Sequence, residues 1–380
     1  MNATDLAARL ALASLAGLGP ARGAWLLAAA TPEAVVDDLR SGRLPPVTSP
    51  PPPGVTERLV LGWGRKLRST DPGRLLAAAT ADAVELVAPT DDDWPFADEE
   101  HPPLLLFVVG DRSLLAAPAR VAIVGTRRCT SIGRAVATDL GAGVAAAGVT
   151  VVSGLAAGID AAAHRGALAA GGPALGVVGT GLDVVYPRAN RALWGAVAEG
   201  GLLVSEAPPG TKPERWRFPA RNRLIASLAL AVVVVESHAE GGSLITVDEA
   251  IDRSRTVLAV PGAVTSPASV GTNRLLLDGC PPVCDPGDVL DAIGHPRPTP
   301  GAAAAAADVG RPARAATVIG PLGQRILDEV AAGSGHLDGL AVATGASVPV
   351  LLAEVDRLVR ERVLVLDGST VSRPPDGRPA

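Results

Sequence analysis

Six short runs of β-branched and aliphatic residues, at 121–124, 150–153, 174–178, 202–205, 231–236 and 257–260, alternate with segments of helical apolar spacing. Runs that are apolar throughout, rather than at every second position, belong to strands covered on both faces. Helices between such strands supply the crossovers that a parallel sheet needs. The pattern therefore predicts an α/β fold with an extended Rossmann-like, doubly wound, largely parallel sheet. A further run at 104–109 is expected to add one strand. Hydrophobic residues make up 48% of the chain but aromatics only 2%, so Ala, Val and Leu must fill the interior.

A length of 380 residues exceeds what one hydrophobic core usually supports, which predicts several domains. Residues 1–70 are expected to form a small N-terminal helical, SAM-like domain. The segment 15–22, Leu-Ala-Gly-Leu-Gly-Pro-Ala-Arg, sets a Gly-rich turn between two of its helices. Such a turn resembles a helix-hairpin-helix, whose amides can approach a phosphate, and a plain packing module fits it equally well. The proline-rich stretch 48–53 reads as a connector. Residues 71–294 then carry the Rossmann-like domain with its lead-in, and 295–317 a Pro/Ala-rich linker that includes alanines at 302–307. Residues 318–373 read as a winged-helix domain of three helices and a hairpin turned at Gly368, and 374–380 as a disordered tail. No run of eighteen apolar residues and no basic segment leading into an apolar one is present, so a soluble, cytoplasmic protein with no membrane partner is expected.

Three cysteines, Cys129, Cys280 and Cys284, have neither disulfide-framework nor zinc spacing, and reduced thiols are expected. A net charge of −5 argues against a generally adhesive polyanion binder, so any DNA site must be a local concentration of arginine. The first strand of the core runs into Gly125-Thr126-Arg127-Arg128-Cys129-Thr130-Ser131-Ile132-Gly133, which opens a helix. Unpaired amides and a partial positive charge at such a terminus suit a phosphate. The dinucleotide fingerprint is incomplete and no acidic residue ends the second strand, which excludes a nicotinamide dehydrogenase. The second strand ends in Ser153-Gly154-Leu155-Ala156-Ala157-Gly158-Ile159-Asp160, a second Gly-rich turn that the sheet should bring beside the first. His164, on the helix that follows, reads as structural rather than as a general base.

The block 215–223, Arg-Trp-Arg-Phe-Pro-Ala-Arg-Asn-Arg, packs four arginines and two aromatics into nine residues of an acidic chain. Arginines pair with phosphates and aromatic faces stack on unpaired bases, a combination used on single strands. The alternative makes Trp216 and Phe218 core residues and pairs the arginines with Glu206, Glu214 and Glu236. Asp160, Asp183 and Glu236 lie at strand ends without metal-ligand spacing, and serve better as loop caps or arginine partners.

Taken together, Gly125-Thr126-Arg127 with Ser131 and Gly133, Ser153-Gly154 with Asp160 and His164, Gly179-Thr180-Gly181 with Tyr186-Pro187, Phe218-Pro219-Ala220-Arg221-Asn222-Arg223, Gly242-Ser243-Leu244 and Val260-Pro261-Gly262 resemble the signatures of the DprA (Smf) family in order. The resemblance spans about 104–284. It implies a non-catalytic binder of single-stranded DNA that protects the strand and loads the RecA recombinase onto it during natural transformation or recombination. It also implies a homodimer and no cofactor. Arg127 and Ser131 match phosphate-binding positions, Arg215 a basic contact and Phe218 a base-stacking one. The expected DNA-binding set is completed by Gly125, Thr126, Gly133, Ser153, Gly154, Gly242 and Ser243, with Arg221 and Arg223 added from charge alone. Glu240 and Gly241 stand where the family usually has a basic residue and Ser, and Ile132 where it has Tyr.

Two other functions fit parts of the sequence. A nucleotide-cleaving phosphoribohydrolase resembling the LOG family shares the core, but its Pro-Gly-Gly-x-Gly-Thr block is absent. A winged-helix transcription regulator would read duplex DNA through 348–361, where Glu354, Asp356 and Glu361 offset Arg357, Arg360 and the adjoining Arg362.

Overall fold

The computed structural model describes residues 3–80, 83–297, 319–360, 363–367 and 370–372. The chain divides into two compact units, Met1–Gly310 and Arg311–Ala380. Most of the expected linker, the turn at Gly368 and the expected tail lie outside the described residues.

The first unit opens with five helices, α1 (Ala3–Ala13), α2 (Pro20–Leu27), α3 (Pro32–Arg40), α4 (Glu57–Arg68) and α5 (Pro72–Ala79). Thr31, Thr56 and Asp71 cap α3, α4 and α5 by accepting from backbone N–H groups of the first turn. Trp25, Leu26, Leu39, Trp63 and Leu67 fill a core between the first four helices. Both indoles are satisfied as they are buried: Trp25 donates to the Ser49 carbonyl and Trp63 to that of Ala16, each at 3.0 Å. These bonds fix the connector 48–53 and the turn 15–22 to the helices.

The remainder of the unit is an eight-stranded sheet. Its strands are β1 (Glu85–Val87), β2 (Leu106–Gly110), β3 (Arg120–Val124), β4 (Thr150–Ser153), β5 (Ala174–Val178), β6 (Leu202–Ser205), β7 (Ala231–Val234) and β8 (Thr256–Ala259). The order is β1-β2-β6-β5-β4-β3-β7-β8, parallel from β6 to β8, with β2 antiparallel to both β6 and β1. All residues of β4, β5, β6 and β7 are buried, as the unbroken apolar runs require. Helices α6 (Ser131–Ala146), α7 (Ile159–Ala169), α8 (Arg191–Gly200), α9 (Arg217–Leu228), α10 (Gly242–Asp252), α11 (Val270–Leu277) and α12 (Pro286–Ala292) cover the two faces. Alanine and glycine let α6 and α7 come together closely: a Cβ at Gly141 would meet the backbone of Ala163, and one at Gly166 that of Thr138. Close approach of this kind lets small side chains build a dense interior with few aromatics.

Winding proceeds from β3 through β4 and β5 to β6, then reverses across β3 to β7. Loops leaving the carboxyl ends of the strands diverge at such a reversal and open a crevice, the usual ligand position in an open α/β sheet. The second unit contains α13 (Pro321–Ala331), α14 (Leu337–Thr344), α15 (Val348–Arg360) and an antiparallel pair β9 (Val365–Asp367) and β10 (Thr370–Ser372). Ile326, Leu340, Leu351, Val355, Leu358 and Val371 form its core. No single described helix is long and apolar enough to cross a membrane.

Candidate nucleic-acid interface

Loop 125–130 leaves β3 at the reversal point and is pinned from both sides. Thr126 N–H donates to the Glu236 carbonyl at 2.8 Å, and Ile159 N–H donates to the Thr126 carbonyl at 3.3 Å. The start of α6 is then closed by protein groups. Thr130 accepts from Gly133 N–H at 2.9 Å, while its own N–H and hydroxyl donate to the two Glu236 carboxylate oxygens at 2.9 and 2.6 Å. A carboxylate thus occupies the position that the sequence assigned to a phosphate. Gly133 is buried and makes room for it, since a Cβ there would fall into the Glu236 carboxyl. Gly125 likewise packs against Ile159 and the Glu236 backbone. The outward faces of the loop remain: Arg127, Arg128 and Ser131 are exposed, and among the described residues no carboxylate pairs with either arginine.

The second Gly-rich turn lies beside the first, as the topology demands. Asp160 accepts from Gly154 N–H at 3.1 Å and is otherwise buried, so desolvation raises its carboxyl above the ordinary value while the Arg221 guanidinium opposes that rise. Arg221 is 4% exposed and donates to the Val177 carbonyl at 2.6 Å. Burial pulls its guanidinium down to about 10, which still leaves it charged at neutral pH. Gly154 lies flat on that guanidinium, and a Cβ at this position would collide with it. Ser153 is buried and donates to the Ile123 carbonyl at 2.6 Å. His164 is fully buried in α7, and desolvation pushes its imidazole down to about 4, so it is neutral.

Above this floor is a hollow of about 200 Å³ lined by Arg127, Gly154, Ala156, Tyr186, Phe218 and Arg221. The Tyr186 and Phe218 rings lie 5.3 Å apart at 33°, and the Arg127 guanidinium sits 5.0 Å from the Phe218 centroid. Two aromatic faces and one cation unpaired with any described carboxylate therefore converge over the ends of β3, β4 and β5.

The arginine block divides where α9 begins. Arg215 and Trp216 are exposed, and Arg217 stacks over Trp216 at 4.4 Å while pairing with Glu214 at 3.7 Å. Arg221 and Arg223, expected from charge to meet DNA, are instead internal. Arg223 is 6% exposed, pairs with Glu206 and donates to the His101 carbonyl at 3.1 Å. Both are corrected to structural roles: Arg221 lies in the floor of the hollow and Arg223 beneath the surface, and each is buried and held by protein acceptors rather than presented to solvent. Gly242 is exposed at the start of α10, whereas Ser243 is buried and donates to the Ser237 hydroxyl at 2.9 Å. Asp183 caps the neighbouring loop by accepting from Gly210 N–H at 2.8 Å.

The expected site residues thus separate into two layers. Arg127, Ser131, Phe218, Arg215 and Gly242 lie at the surface or over the hollow, with Thr126 half-buried behind them; Gly154 and Arg221 form the floor of the hollow, and Gly125, Gly133, Ser153, Arg223 and Ser243 shape the support. Tyr186 stood in the sequence only within the family signature, the one tyrosine of the chain set directly before a proline, and its place in the hollow was missed. Glu236, expected as a loop cap or arginine partner, is the cap of α6.

Comparison with known proteins places this architecture. Residues 85–294 match the family model for DNA recombination-mediator protein A. A putative DNA processing protein DprA from Mycobacterium tuberculosis is 41% identical over 275 residues, covering 68% of this chain and 69% of the relative. DprA from Bacillus subtilis is 36% identical over 222 residues, covering 58% and 75%. The crystal structure of DprA from Streptococcus pneumoniae aligns with a TM-score of 0.57 at 36% identity, over 63% of this chain and 83% of the other. A structure of Helicobacter pylori DprA, reported for its single-stranded DNA binding mode, aligns with a TM-score of 0.50 at 28% identity, over 56% and 95%. With its sheet, its paired glycine turns and this coverage, the chain belongs to the DNA recombination-mediator protein A family, DprA.

Proposed function

We propose that this chain binds single-stranded DNA in the crevice at the carboxyl ends of β3, β4 and β5, without bond-making chemistry, and delivers the strand to the RecA recombinase. The observation that carries the reading is the hollow in which Arg127 meets the Tyr186 and Phe218 rings. An unpaired base can stack on such a ring, whereas a base inside a duplex has no free face to offer. Arg127, Arg128 and Arg215 supply exposed charge for the backbone on an otherwise acidic chain. The Helicobacter pylori relative, whose structure is reported for its single-stranded DNA binding mode, supports the ligand class.

A cytoplasmic homodimer built through the α/β unit completes the proposal. Val264 and Leu277 are 91% and 82% exposed and offer apolar surface for self-association. Light scattering at micromolar protein should find a dimer, and a monomer with and without oligonucleotide contradicts it. Fluorescence anisotropy with matched single- and double-stranded oligonucleotides over a salt series tests the main reading. Tighter binding of the single strand at every salt concentration is expected, and equal binding of both forms overturns it. Release of adenine from AMP would overturn the non-catalytic part.

A further inference from the structure

The geometry points to a second DNA-backbone contact on the outer face of α4 in the N-terminal helical domain, an inference that rests on the single-strand reading above and extends it. Four other arginines of the helical segment carry acidic partners close in sequence, Arg9 with Asp5, Arg40 with Asp37, Arg43 with Asp38 and Arg74 with Asp71, while Arg22 is held by backbone carbonyls. Arg58, Arg65 and Lys66 are exposed, and among the described residues none is paired with a carboxylate. Arg58, Leu61, Arg65 and Arg68 line one shallow hollow along the helix, with Glu57 as its single acidic member. Seven residues separate Arg58 from Arg65, two turns or about 10 Å along the axis, which keeps them on one stripe. Cations in the last turn are favoured by the helix dipole, and that alone accounts for Arg65, Lys66 and Arg68. It does not account for Arg58, which stands in the first turn, where the dipole opposes a cation. A cation kept at the disfavoured end of a helix, in line with others at the favoured end, fits an external polyanion.

The face is also continuous with the crevice. Arg58, Arg65 and Lys66 share a second hollow with Leu15 and Arg22 of the Gly-rich turn. Arg22 clamps that turn by donating to the Pro53 carbonyl at 2.8 Å and to that of Gly17 at 2.5 Å. On its other side the turn, through Leu15, Gly17 and Gly19, lines a third hollow closed by Gly179, Trp216 and Arg217. A strand leaving the Phe218 region thus has a path past Trp216 and the turn to α4. Contact there is with phosphate only, because the hollow is lined by three arginines, Leu61 and Glu57 and by no aromatic ring.

The test compares the full chain with the triple variant Arg58→Gln, Arg65→Gln, Lys66→Gln, using oligothymidylates of about 6 and about 30 nucleotides over a salt series. For the long strand, the variant should lose about tenfold in affinity at low salt, and its log–log salt slope should fall by about 2. Binding of the short strand should not change. A control at an exposed arginine outside α4, Arg274→Gln, should behave as the unaltered chain with both strands. An unchanged long-strand affinity and slope in the folded triple variant overturns the inference and leaves the face to an acidic protein partner. Equal losses with both lengths also overturn it, since no separate contact would then exist. If the unaltered chain binds the long strand through α4 but not the short strand, the crevice reading fails and the α4 contact stands. If it binds neither, both fail.

Discussion

The two halves of the 215–223 block carry two arginines each and meet opposite fates. Arg215, Trp216 and Phe218 reach the surface or stand over the hollow, whereas Arg221, in the floor of the hollow, and Arg223, a turn further into α9, are buried against the sheet. The outer half is free to meet a ligand. The inner half holds the floor on which the ligand would rest, through Val177, Gly154 and Asp160 for Arg221 and through Glu206 for Arg223. Arginine density therefore marks the neighbourhood of a polyanion site, but helix onset decides which arginines serve it.

The sharpest way to break this division is to truncate an inner arginine. Arg221→Ala leaves Asp160 buried with its main counter-charge gone, a change that costs about 3–5 kcal/mol. Urea denaturation should show that loss, with DNA binding falling only as the folded fraction falls. Normal stability with weakened DNA binding would return Arg221 to the contact surface.

His164 beneath the same floor gives a smaller effect that depends on pH. Its folded value of about 4 lies below the ordinary 6.5, so the unfolded chain binds the extra proton between these limits. Stability is complete above about pH 6.5 and falls as pH drops towards 4, by up to about 3 kcal/mol. Denaturation midpoints from pH 7 to 5 should decline less steeply in His164→Gln than in the unaltered chain. Parallel declines would remove His164 as the cause.

The sheet was legible because strands buried on both faces are apolar through their middles, and β3 to β8 depart from this only at end residues such as Arg120, Thr150, Ser153, Ser205 and Thr256. Strand direction is not written in composition, so nothing marked β2 as antiparallel. Three-residue β1 is too short to form a run, and Glu85 at its start breaks the pattern. At the site, glycine positions pointed correctly to tight loops. Their reason differed: Gly133 admits the Glu236 carboxylate and Gly154 the Arg221 guanidinium, close approaches between segments distant in sequence. Charge counting placed Arg221 and Arg223 at a DNA surface, because burial of a guanidinium is a property of the assembled sheet and helices, whereas Glu236 was expected as a loop cap or arginine partner and is a cap.

The outer half is probed most gently through Arg127. Arg127→Ala should weaken single-strand binding several-fold and lower the salt slope by about 0.7, one phosphate contact on a single strand. Anisotropy titrations check both. An unchanged slope would mean that Arg127 only packs on Phe218.

Central to the account is that Phe218 stacks on an unpaired base while the arginines beneath it do not touch DNA. Titrating Phe218→Ala with matched single and double strands over a salt series tests this most directly. Loss of one stacked base, about 1–3 kcal/mol, should cost the single strand roughly ten- to a hundredfold in affinity. Its salt slope, the weak duplex binding and the melting temperature should stay close to those of the unaltered chain. A sharp drop in melting temperature with single-strand affinity intact would make Phe218 a core residue and contradict the account.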